Sequence, residues 1–66
     1  MDSAVRYKWI VPVDGHDVGV WIQPLPALGT SVLHFDHEDQ ALYSGAVAIL
    51  MSKGLLVHEG EKWVAG

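Results

Sequence analysis

Cysteine is absent from this sequence, which excludes a disulfide framework and any chemistry that needs a thiolate. A chain of 66 residues without cross-links depends on a small hydrophobic core, since it buries only about 60% of its unfolded surface. This length predicts one domain over residues 1–66. The lack of cysteine is also typical of a reducing compartment, so we expect a cytoplasmic protein.

Positive charge is scarce as well. Eight acidic residues outweigh the basic ones, and the formal net charge is −4. Nucleic-acid binding requires clustered positive charge, so no nucleic-acid partner is expected. The opposite hypothesis, an acidic mimic of nucleic acid, requires Glu38 and Asp39 to share one face with Glu59 and Glu61. The four basic residues are scattered along the chain: Arg6, Lys8, Lys53 and Lys62.

Long apolar runs are missing too. The longest covers residues 46–51, whereas a helix that crosses a bilayer needs about 20 apolar residues. The first residues lack the apolar stretch and cleavage site of a signal peptide, so neither a membrane partner nor a leader is expected.

Charged residues make up only 18% of the chain while half of it is apolar. Soluble domains average about 25% charged residues, so this small domain has more apolar surface than it can bury alone. Association with another protein, or with a second copy of the chain, is the usual way to cover such surface.

No catalytic motif is visible either. The sequence contains no glycine-rich phosphate loop and no serine in a nucleophile-elbow setting, so we expect neither an enzyme nor a cofactor. One cluster has residue types that suit zinc and similar ions: His34, Asp36 and His37, with carboxylates beside them. A metal-binding or metal-stabilised module is therefore an alternative. The main expectation is no metal, since a strand and a helix need not bring these side chains together.

One helix is predicted over residues 37–52. Asp36 is a suitable N-cap at its start, and Gly54 suits the left-handed residue that follows a helix. The apolar run of residues 46–51 also fits a buried strand, but the residues at both ends favour a helix.

Alternating apolar residues predict the strands. Alternation over residues 5–13 and 18–23, with turn residues between them, predicts a hairpin in which Val13 lies opposite Val18. In that register Trp21 lies beside Ile10 on the face opposite the core valines.

Three shorter strands complete the prediction. Residues 32–35 precede the helix, and residues 55–58 and 61–65 form a second hairpin with His58 opposite Glu61. The sequence thus predicts a small α+β domain in the order β-β-(β)-α-β-β. In it an antiparallel sheet of two hairpins, with the short extra strand as an option, packs on one helix.

Two surfaces are candidates for partner binding. Ile10 and Trp21 would form an apolar patch on the outer face of the sheet, unless a terminal segment or a loop covers them. The helix carries a stripe of small residues, Ala41, Gly45 and Ala48, where a second protein surface could approach closely; the alternative is that the N-terminal segment folds over it.

These observations predict a small non-catalytic module that binds another protein as an inhibitor, adaptor or assembly subunit. Short acidic chains without cysteine are frequent among accessory proteins of phages and mobile elements, and we expect this chain to be one of them by that association.

Overall fold

The computed structural model describes residues 9–66. Five strands and one helix follow the predicted order: β1 (Trp9–Val13), β2 (His16–Leu25), β3 (Thr30–Asp36), α1 (Tyr43–Ser52), β4 (Leu56–Glu59) and β5 (Lys62–Ala65). This confirms an α+β domain in which the optional extra strand is present. The part of the first predicted strand over residues 5–8 lies outside the described residues.

The strands form two separate antiparallel sheets. One has three strands in the order β1-β2-β3, and the other is the β4-β5 hairpin. The helix and the second hairpin pack on the inner face of the three-stranded sheet around eight buried apolar side chains. These are Val11, Val13, Val18, Val20, Leu42, Ala46, Leu50 and Leu56.

The predicted register of the first hairpin is wrong by two residues. Val13 lies opposite His16, not Val18, because Asp14 and Gly15 alone make the turn. Both have positive φ, 50° and 80°, which is the type I′ geometry whose twist matches that of paired strands. A shift of two residues keeps every side chain on its predicted face.

The second hairpin is shifted in the same way. Glu59 pairs with Lys62 and His58 with Trp63, so the turn is made by Gly60 and Glu61. Gly60 takes a φ of 61°, a left-handed conformation that favours glycine.

The helix ends as predicted but begins later. Gly54 adopts a φ of 73°, and its N–H donates to the Met51 carbonyl while Leu55 N–H donates to Leu50, the Schellman arrangement. The alternative of a buried strand over residues 46–51 is wrong, since that segment lies within α1.

The predicted helix start at residue 37 is wrong, and Asp36 is not its N-cap. Asp36 is the last residue of β3 and pairs with Gly19. A 3₁₀ turn, Gln40–Leu42, leads directly into α1. Its cap is Asp39, whose Oδ1 accepts from the Ala41 N–H at 3.0 Å. Because Asp36 is paired with Gly19 in the sheet, the next suitable side chain, Asp39, caps the turn.

A side-chain hydroxyl joins the two sheets. Ser31 Oγ accepts from the Trp63 N–H at 2.6 Å and donates to the Trp63 carbonyl at 3.0 Å. This arrangement satisfies both main-chain groups of one β5 residue and holds the second hairpin beside the start of β3.

Candidate functional site

The outer face of the three-stranded sheet points away from α1. Side chains alternate along a strand, so the burial of Val11, Val18 and Val20 on the inner face sends their neighbours outward. The register therefore places Ile10, Trp21, Gln23, Val32 and His34 on one surface.

A stacked pair of rings lies at the centre of this surface. Trp21 and His34 are direct cross-strand partners, with ring centroids 4.9 Å apart and planes inclined by 11°. His34 Nε2 lies 2.6 Å from Gln23 Oε1, and an amide oxygen can only accept, so Nε2 carries the proton in this contact. The stack and the hydrogen bond hold both rings in one orientation, which lowers the entropy that a partner must remove on binding.

Aliphatic side chains flank the stack. Ile10 is 57% exposed and Val32 is 40% exposed, both large values for apolar residues. Ile10 pairs with Gly19 and not with Trp21, so the two predicted anchors share the face without being directly opposed. We call the surface formed by Ile10, Trp21, Val32 and His34 the outer patch. Alternation predicted the first two members; the other two depend on how β2 pairs with β3.

The small-residue stripe on the helix is divided between two environments. Ala41 and Ala48 are exposed. Gly45 is half-buried, and a Cβ placed on it would lie 3.1 Å from Val13 Cγ1. Gly45 is therefore approached closely from within the chain, by the Val13 side chain of β1, and this contact supplies a structural reason for the glycine.

An apolar groove of about 310 Å³ borders the outer patch where β1 meets the end of α1. The residues that line it include Ile10, Trp9, Ile49, Leu55 and Lys53. No pattern in the sequence predicted this groove, because it forms between elements that are distant along the chain.

The residues of the metal hypothesis are not brought together. His34 faces outward against Trp21, whereas the His37 ring contacts His16, with centroids 5.1 Å apart. His37 Nδ1 also accepts from the Asp39 N–H at 2.9 Å. Within residues 9–66 there is no group of three or more histidine, aspartate or glutamate side chains that could hold an ion.

The acidic residues of the nucleic-acid-mimic hypothesis lie near opposite ends of β3. Glu38 and Asp39 follow its last residue, and Thr30 at its start donates a hydrogen bond to the Glu61 carbonyl. β3, which lies between these two places, is seven residues long and spans about 20 Å. The acidic residues therefore form two small clusters at the ends of one strand.

Within the described part of the chain, no helix has the length and apolar character needed to span a bilayer. No protein-family model matches the sequence, and comparisons with curated proteins and with solved structures gave no match either.

Proposed function

We propose that this chain is a small non-catalytic module that docks onto another protein through the outer patch, as an inhibitor, adaptor or assembly subunit. The observation that supports it is an oriented tryptophan–histidine stack with exposed aliphatic side chains beside it. Among the described elements, both the helix and the second hairpin pack on the inner face of the sheet, away from the outer patch.

The composition of the patch resembles the centre of a protein interface. Interface centres are rich in aromatic residues and poor in charge, and a few buried aromatic anchors supply most of the binding energy. Trp21 is the anchor here, since its ring is already held by His34 before a partner arrives. Ile10 and Val32 add apolar surface at about 25 cal/mol per Å² buried.

The partner is a different protein in this proposal, and a second copy of the chain is the alternative. With a net charge of −4, two copies repel each other, whereas a neutral or basic partner does not. Light scattering over a concentration series separates the two, because a dimer that resists dilution would assign the patch to self-association.

We also propose that the chain is a cytoplasmic accessory protein, such as those of phages or mobile elements.

The test measures affinity for a purified partner, obtained by affinity capture, with three single variants. Trp21→Ala and Ile10→Ser alter the outer patch, whereas Met51→Ser alters an exposed apolar residue of the helix. We expect Trp21→Ala to weaken binding by about 30-fold or more, Ile10→Ser by about tenfold, and Met51→Ser hardly at all.

Each variant must first show the far-ultraviolet circular dichroism of the unmodified chain, so that weaker binding is not unfolding. Equal losses for all three substitutions, or a loss for Met51→Ser alone, would refute docking through the outer patch.

A further inference from the structure

The edge of β3 offers main-chain groups for a further strand. A two-residue turn makes Val13 and His16 a hydrogen-bonded pair, and the ladder alternates from there. Odd-numbered residues of β2 therefore bond to β3 and are paired with its even-numbered residues. It follows that the N–H and C=O groups of Leu33 and Phe35 point away from the sheet.

Of the two edge strands in the described part of the chain, β1 carries a proline and β3 does not. The same alternation directs the main chain of Ile10 and Pro12 outward from β1, and proline has no N–H to donate. Proline and lysine are common means of preventing strand addition at an edge. β3 contains neither over its seven residues.

Both ends of the open edge are defined by side-chain contacts. The second hairpin is held beside its start by Ser31, through the main chain of Trp63. Just beyond its end, the Tyr43 hydroxyl donates to the His37 carbonyl. Between these contacts, no hydrogen bond among described residues uses the outward N–H and C=O groups of Leu33 or Phe35.

Acidic side chains lie near both ends of this edge. Glu61 is near its start, and Glu38 and Asp39 follow its end. All three are exposed. A second copy aligned on this edge would bring like charges together, whereas a segment with basic residues at both ends would be attracted.

We propose that the β3 edge binds an extended, positively charged segment of the partner protein, which adds as a fourth, antiparallel strand. Main-chain bonds to Leu33 and Phe35 supply affinity, and the flanking acidic residues select basic residues at the ends of the segment. This rests on the proposed function and specifies the partner's chemistry. The added strand would extend the sheet beside Val32 and His34, so it is continuous with the outer patch.

The probe is a synthetic peptide in which valine and threonine alternate between terminal lysines. Two control peptides are matched to it, one with a central proline and one with terminal glutamates. Amide hydrogen exchange by NMR reports which residues become protected, and titration gives the affinity. We expect protection at Leu33 and Phe35 and weaker binding as salt is raised.

The matched variant is Leu33→Pro, which removes an outward N–H without removing a bond to β2, and it should weaken peptide binding about tenfold. If this variant does not fold, a chemically synthesised chain with an N-methyl group on Leu33 makes the same test. Met51→Ser is the control, since it alters an exposed residue of the helix and leaves both the edge and the outer patch unchanged.

Several results would overturn the inference. One is that the central-proline peptide or the glutamate peptide binds as tightly as the probe peptide. Others are that the probe peptide does not bind at millimolar concentration, or that self-association of the chain protects the same amides. If the peptide fails while Ile10→Ser still weakens docking of the purified partner, the strand-addition inference is wrong and the outer patch stands. If the peptide binds as expected while Ile10→Ser leaves docking of the purified partner unchanged, docking through the outer patch is wrong and the strand-addition inference stands.

Discussion

The contact between Gly45 and Val13 can be measured with a double-mutant cycle. Gly45→Ala adds a methyl group that would meet Val13 Cγ1 at 3.1 Å, closer than an ordinary van der Waals contact. In a helix interior, alanine is favoured over glycine by about 1 kcal/mol. An overpacked core costs about 1–3 kcal/mol, so we expect Gly45→Ala to range from neutral to about 2 kcal/mol destabilising.

Removal of the Val13 side chain should turn Gly45→Ala into a stabilising substitution. Val13→Ala empties the space beside residue 45 and by itself costs about 2 kcal/mol, the transfer free energy of the lost methyl groups plus a small cavity. In that background Gly45→Ala meets no neighbour and should stabilise the chain by about 1 kcal/mol. The coupling free energy between the two sites is then about 1–3 kcal/mol, within the range for residues in contact.

Urea unfolding, followed by tryptophan fluorescence and circular dichroism, gives the four free energies of the cycle. Gly45→Leu should destabilise the chain by about 2 kcal/mol or more, whereas Ala48→Leu on the exposed face should change it by less than about 0.5 kcal/mol. A coupling below about 0.3 kcal/mol, or equal effects of the two leucines, would refute close packing of Gly45 against β1.

Two further substitutions test the contacts that organise the fold, each by urea unfolding. Asp39→Ala removes the cap of the 3₁₀ turn and should cost about 1 kcal/mol, whereas Glu38→Ala at an exposed position should cost less than about 0.5 kcal/mol; equal values would contradict the capping role. Ser31→Ala leaves the N–H and C=O of Trp63 without their partner and should cost about 1–3 kcal/mol, whereas Ser44→Ala on the helix surface should be neutral or slightly stabilising. A neutral Ser31→Ala would show that the hydroxyl does not hold the two sheets together.

The strands and their faces could be predicted because side chains alternate with a period of two. The register could not, since moving Val13 from Val18 to His16 leaves the same side chains on the same faces. Only the conformation of the turn distinguishes the two pairings. Asp14 and Gly15 both take positive φ there, and the sequence does not determine whether the turn has two residues or four.

The two ends of the helix differed in how well they could be predicted. Gly54 is the only glycine close to the end of the apolar segment, so the stop was unambiguous. At the start, both Asp36 and Asp39 are suitable caps, and local chemistry does not rank them. The choice depends on pairing between Asp36 and Gly19, which is a tertiary contact.

In the candidate site, too, local sequence patterns predicted one part and tertiary contacts determined the rest. The outward direction of Ile10 and Trp21 is a consequence of alternation alone. The stack of Trp21 on His34 depends on how β2 pairs with β3, and the burial of Gly45 depends on how close the helix comes to β1. Neither distance can be obtained from sequence periodicity.

Photo-crosslinking from single positions in the native cell tests docking through the outer patch most directly. A benzophenone side chain at Ile10 or Val32 reports on this patch, and the same group at Ala48 or Met51 reports on the exposed face of the helix. We expect one defined crosslinked partner from the first two positions and none from the other two. The same product from all four positions, or a product from the helix alone, would contradict docking through the outer patch.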